Sequence, residues 1–252
     1  MRSVIWLALA GWALSAPPQA VGQVSTKVRI RVVARDSKVI GDGVGGARIQ
    51  VKDVASGHVL AEGIQQGGTG STSALVENPI HRGEPVYEAE GAAVFTADLK
   101  LAEPTVLEFV GEGPLDYDHA MQRATKTMLV VPGEDILGNG VVLELNGFIV
   151  ELLESEQLNS PTELGVEARV RMLCGCTLEP DGLWDASRVR VTARLHHEGQ
   201  LIRESRLRYA GEPSVFQGTI RLAGVATGAT LYVLASDPTR GNFGRSQSII
   251  LP

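Results

Sequence analysis

Aromatic side chains are scarce, at 5% of 252 residues, and cysteine occurs only twice. Two cysteines cannot build a disulfide-dense scaffold, nor by themselves the four ligands of a structural zinc site. Trp6, Trp12 and Trp184 are the only tryptophans, which leaves little with which to build a stacking platform for bases or sugars. Basic residues are outnumbered, 23 to 29, and the net charge of −6 repels nucleic acid on average. Catalytic signatures are missing as well. Gly70-Ser71-Thr72-Ser73 lacks the Gly-x-Ser-x-Gly elbow of a serine nucleophile. Gly41-Asp42-Gly43-Val44-Gly45-Gly46 lacks the lysine of a phosphate-binding loop. No residue is assigned a catalytic role, and a non-enzymatic protein is expected.

A bilayer-spanning helix needs about 20 apolar residues, and the run from Val4 to Leu14 is shorter than that. Preceded by Arg2 and followed by Pro17-Pro18 and Ala20-Val21-Gly22, it reads as a secretory signal over residues 1–22. The expected location is therefore the periplasm or the extracellular space, with no membrane span after cleavage.

From Gln23 onward the chain is organised as short alternating runs between turn residues. Val28, Ile30 and Val32 lie on one side of a strand and Lys27, Arg29 and Arg31 on the other. Further strands are expected near 47–52, 59–61, 93–99, 106–110 and 127–131, with a short helix around 117–126. Residues 67–92 show no useful periodicity. The long apolar run from Val141 to Leu153 reads as two strands joined at Asn146-Gly147, or one strand bulged there. Later strand candidates are separated by Gly199, Gly211, Gly224 and Gly228, at intervals near ten residues. The expected class is all-β: two consecutive antiparallel β-sandwiches, at 23–135 and 136–252.

Gly45-Gly46-Ala47-Arg48-Ile49-Gln50-Val51-Lys52-Asp53, followed by Ala55-Ser56-Gly57-His58-Val59-Leu60-Ala61, resembles the opening strands of secreted transthyretin-like or carboxypeptidase-regulatory-like modules. The likeness spans residues 24–132 and implies a β-sandwich without transferable catalytic residues. The second half resembles immunoglobulin-like modules only in strand spacing, since the Cys…Trp…Cys arrangement is missing.

Met172-Leu173-Cys174-Gly175-Cys176 is the sharpest local feature. On an extended strand Met172, Cys174 and Cys176 would share one face, and three readings are open. The sulfurs pack inertly in the core. Alternatively, Cys174 and Cys176 form a disulfide, with Gly175 bending the chain because extended residues two apart sit at roughly 6.5–7 Å, the upper edge of disulfide geometry. In the third reading Met172, Cys174 and Cys176 offer a soft set for Cu(I), or take His196 and His197 to complete a zinc site. Asp116-Tyr117-Asp118-His119 reads mainly as a solvated loop or helix start, with a metal site on the two carboxylates and His119 as the alternative. Trp184, Arg240, Asn242 and Phe243 are candidate interaction-loop residues, with Phe243 available to anchor its loop on the core.

Two functions are expected. One is a structural or interaction component of the cell envelope, with an envelope protein or surface polymer as partner. The other is a Cu(I)-handling or thiol-redox protein centred on Met172, Cys174 and Cys176.

Overall fold

The computed structural model describes residues 22–157, 162–225 and 227–251. Almost all of the signal segment expected at 1–22 lies outside them. The chain is all-β, with fifteen strands among the described residues.

Two sheets face each other in the first half. In one, β1 (Val24–Ala34) lies between β4 (Phe95–Leu101), which is antiparallel to it, and β7 (Ile136–Leu145), which is parallel. In the other, the order is β3 (Val59–Gln65), β2 (Ala47–Asp53), β5 (Thr105–Gly113) and β6 (Gln122–Val130), antiparallel throughout. The alternation of β1 does what the sequence requires, burying Val28, Ile30 and Val32 with Ile49, Val51, Leu107 and Phe109 in one core.

Polar groups stitch this sandwich from within. The buried Gln65 side chain accepts a hydrogen bond from the Val32 amide (2.7 Å) and donates to the carbonyls of Val32 (3.0 Å) and Ile40 (2.7 Å). One amide thereby satisfies three backbone groups that water cannot reach. Arg31, expected opposite the core-facing valines, is itself buried and donates to the carbonyls of Gly138 (2.6 Å) and Asn139 (2.9 Å). Burial, the largest influence on it, holds its pKa below the ordinary arginine value.

The helix expected around 117–126 is absent. A single 3-10 turn spans Asp118–Ala120, and β6 begins at Gln122. Arg123 to Val130 pair residue by residue with β5, and that ladder outweighs a weak amphipathic pattern containing Thr125 and Thr127. Residues 67–92 form an insertion whose ends meet through Gly68 N–H to Gly91 O (2.7 Å) and Ala93 N–H to Gly68 O (2.8 Å).

The chain crosses to the second half at Asn146-Gly147, so β7 belongs with β1 and the boundary lies ten residues beyond the expected 135. Beyond it come β8 (Phe148–Gln157), β9 (Glu163–Met172), β10 (Arg190–His197), β11 (Gln200–Tyr209), β12 (Val215–Arg221), β13 (Thr230–Asp237), β14 (Asn242–Arg245) and β15 (Ile249–Ile250). They form one antiparallel sheet in the order β14-β13-β10-β11-β12-β9-β8, with β15 also on β13. The two walls of this core are thus one sheet curled almost into a barrel, since β14 returns beside β8. Gly244 permits the approach: a Cβ there would stand 2.4 Å from the Phe148 carbonyl oxygen. A single apolar cluster runs through both halves.

Candidate functional site

β9 ends at Met172, and the chain reverses so that Arg171 bridges back to Thr177. The Met172 amide donates to the Cys176 carbonyl (3.0 Å), and the Gly175 amide to the Met172 carbonyl (2.8 Å). Gly175 sits at φ +84°, the left-handed region that suits glycine. The extended row of sulfurs expected from the sequence is therefore replaced by a tight turn. That turn brings the Cys174 and Cys176 sulfurs to 2.6 Å, both as thiols.

The other half of the molecule supplies the remaining partners. Ser37 Oγ lies 2.9 Å from Cys174 Sγ, although 137 positions separate them in the chain. The hydrogen bond with Cys176, followed by those from Ser37 and the Lys38 amide, outweighs burial and lowers the Cys174 pKa to about 6. The same shared proton, with burial, pushes the Cys176 thiol up. The pair thus loses its first proton readily and holds its second. Cys174 is buried, while Cys176 is partly exposed.

Ser37 belongs to the turn after β1, and the second half grips that turn. Trp184 donates its indole N–H to the Asp36 carbonyl (2.9 Å). Arg240 pairs with the Asp36 carboxylate and, at 3.0 Å, with Asp237. Asn242 donates to the Arg35 carbonyl (3.4 Å) and accepts from the Gly147 amide (3.0 Å). Of the four expected interaction-loop residues, Trp184, Arg240 and Asn242 therefore bind the two halves to each other. Phe243 does not anchor its loop on the core; it is 52% exposed.

A second polar bridge crosses the same junction. Arg171 donates to the Tyr117 hydroxyl (2.7 Å) and pairs with Glu151 (2.8 Å), while its guanidinium lies over the Tyr117 ring. Tyr117 thus serves packing between the halves. Asp116, Asp118 and His119 do not gather as metal ligands, because among the described residues no three His, Cys, Asp or Glu side chains do so.

His196 and His197 close the far end of β10, six or seven residues from Arg190, whose partner Ser236 lies beside Asp237 at the junction. At about 3.3 Å per residue, that is roughly 20 Å of strand. His196 is instead engaged by the Tyr232 hydroxyl at 2.8 Å. The histidines are not brought to the sulfurs. One ion at about 2.3 Å from each sulfur in tetrahedral geometry needs them roughly 3.7 Å apart, whereas a disulfide needs about 2.05 Å. The observed separation lies nearer the second value.

Sequence reasoning missed Ser37 and Lys38, and no local signal could have found them. No known family model matches the chain, and no curated protein matches it either.

Proposed function

We propose that the protein is an exported thiol-redox protein whose Cys174 and Cys176 cycle between dithiol and disulfide. The observation that carries this reading is the turn that sets the two sulfurs 2.6 Å apart, with one thiol acidified by its hydrogen bonds. Exchange begins at the acidified sulfur. Cys174, as thiolate with the shared proton on Cys176, attacks one sulfur of a small-molecule disulfide and releases one thiolate. That thiolate takes the Cys176 proton. Cys176 then attacks the Cys174 sulfur and expels the second thiolate, which is protonated by solvent. The protein loses two hydrogens and the disulfide gains them.

The test is equilibration of the protein with glutathione at graded ratios of its two redox forms, followed by alkylation and intact mass. The expected result is a reversible change from two alkylated thiols to none, lost in Cys174→Ser. A pair that remains fully alkylatable at every ratio overturns the reading.

A second reading, a structural or interaction component of the envelope, is favoured by a different observation. Val106 and Leu129 are cross-strand partners on the outer face of the sandwich, Val54 is bonded to the Val106 carbonyl, and all three are exposed. Contiguous apolar surface of this kind fits an envelope protein or surface polymer. Retention of an envelope component by the wild type, lost in Val106→Asp/Leu129→Lys, supports it; equal retention removes it. The likeness of residues 24–132 to transthyretin-like modules belongs with this second reading, supported by the all-β fold alone.

A further inference from the structure

Between the turn after β1 and the loops of the curled sheet lies a cavity of about 280 Å³. Its floor is apolar, made by the buried side chains of Phe148, Met172, Leu178 and Val189, and the Trp184 indole forms part of the wall. Four carboxylates surround it, from Asp36, Asp181, Asp185 and Asp237, against two guanidiniums, from Arg188 and Arg240.

Arg240 is engaged by Asp36 and Asp237, whereas Arg188 meets Asp185 only through Nε at 3.6 Å and is largely exposed. Asp185 also accepts from the Ser187 amide (2.9 Å) and hydroxyl (2.8 Å). Asp181 differs from the other three: its carboxylate has no hydrogen-bond or ion-pair partner among the described residues. Its backbone sits at φ +59°, a conformation that non-glycine residues seldom adopt. The surrounding loop holds it there. Glu179 N–H donates to Trp184 O (3.1 Å), Ala186 N–H to Glu179 O (3.0 Å), and Gly182 N–H to Glu179 O (3.2 Å). The cavity lip is therefore built in advance, with one uncompensated negative charge beside an aromatic wall and an apolar floor.

We infer that this cavity is a binding site for a small organic cation, an ammonium or guanidinium on an apolar or aromatic body. The body fills the floor over Phe148, Met172 and Leu178, and the charged end lies between the Trp184 ring and the Asp181 carboxylate. An aromatic face and an unpaired carboxylate both attract a cation. An anion meets excess negative charge, four carboxylates against two guanidiniums. Net charge thus selects the sign of the ligand, and the volume restricts it to a small molecule. Binding here does not depend on the cysteine chemistry.

The experiment is calorimetric titration of the full chain with 2-phenylethylammonium and, separately, with 3-phenylpropionate, which has a similar body and the opposite charge. Saturable 1:1 binding of the ammonium alone is expected. Asp181→Asn should weaken it about tenfold. Asparagine tolerates the left-handed conformation, so this variant should keep the wild-type melting temperature. Trp184 fluorescence in the wild type should be quenched by the ammonium and unchanged by the propionate. Failure of the ammonium to saturate, equal binding of the propionate, or unchanged affinity in a folded Asp181→Asn overturns the inference.

Discussion

The two halves enclose their apolar interiors by different means. The sandwich brings two separate sheets together and seals the seam with the buried Gln65 of β3, whose bonds go to backbone groups of β1 and the turn after it, while Arg31 ties β1 to β7 within one sheet. The second half also buries polar side chains on backbone amides, Ser214 on Leu178 and Ser246 on Val233, but it has no seam between two sheets: one sheet bends until its first and last strands meet, with a glycine where the backbones come closest. Both obey the same period of two. Alternation therefore specifies that a strand has an inside, and other features decide what faces it.

This contrast can be broken from either side. Gln65→Leu should have the largest effect, because it removes the side-chain partner of the buried Val32 amide and Ile40 carbonyl, while the Val32 carbonyl keeps only the Ile40 amide (3.1 Å). A loss of about 2–4 kcal/mol is expected in denaturant unfolding. A loss within about 0.5 kcal/mol would mean that the seam is closed by apolar contact alone. Gly244→Val tests the other half. The added side chain must push β14 from β8, at a cost of about 1–3 kcal/mol. Hydrogen exchange should rise at β14 and β8 while β1 and β2 stay protected; uniform loss of protection would show that the curled sheet and the sandwich unfold as one.

The smallest effect concerns the junction. In the reduced protein the folded Cys174 pKa of about 6 lies below the ordinary thiol value of 9.0. Between those values the unfolded chain binds more protons, so stability should rise with pH through that window and fall as pH drops through about 6. Melting temperatures of reduced wild type and Cys174→Ser, followed from about pH 5 to 9, should diverge in that sense. Parallel curves would show that Cys174 is not acidified. Ser37→Ala should shrink the divergence, because it removes one hydrogen bond to the sulfur.

Much of the sandwich was legible from residues alone. Val28, Ile30 and Val32 specify the inner face of β1 by spacing, and turn glycines bound most later strands. Gly175 could be read as the residue that bends the cysteine segment. Trp184, expected as an interaction-loop residue, meets the same turn through Asp36 that Cys174 meets through Ser37. Other features were hidden for physical reasons. Residues 117–126 carry a faint helical stripe, whereas their state is decided by pairing with β5. The parallel match of β7 to β1 joins positions more than a hundred residues apart. Neither the closure of the second sheet nor the Ser37–Cys174 contact leaves a trace in strand spacing, since both depend on where distant segments come to rest.

The parallel neighbour of β1 has a consequence for biosynthesis. The strand translated earliest among those described must wait for residues 136–145 before its second edge is covered, and a connection of that length is slow to close. A fragment ending at 135 would emerge with that edge bare and Arg31 deprived of the carbonyls that hold it. The smallest autonomous piece of this half therefore reaches to Leu145.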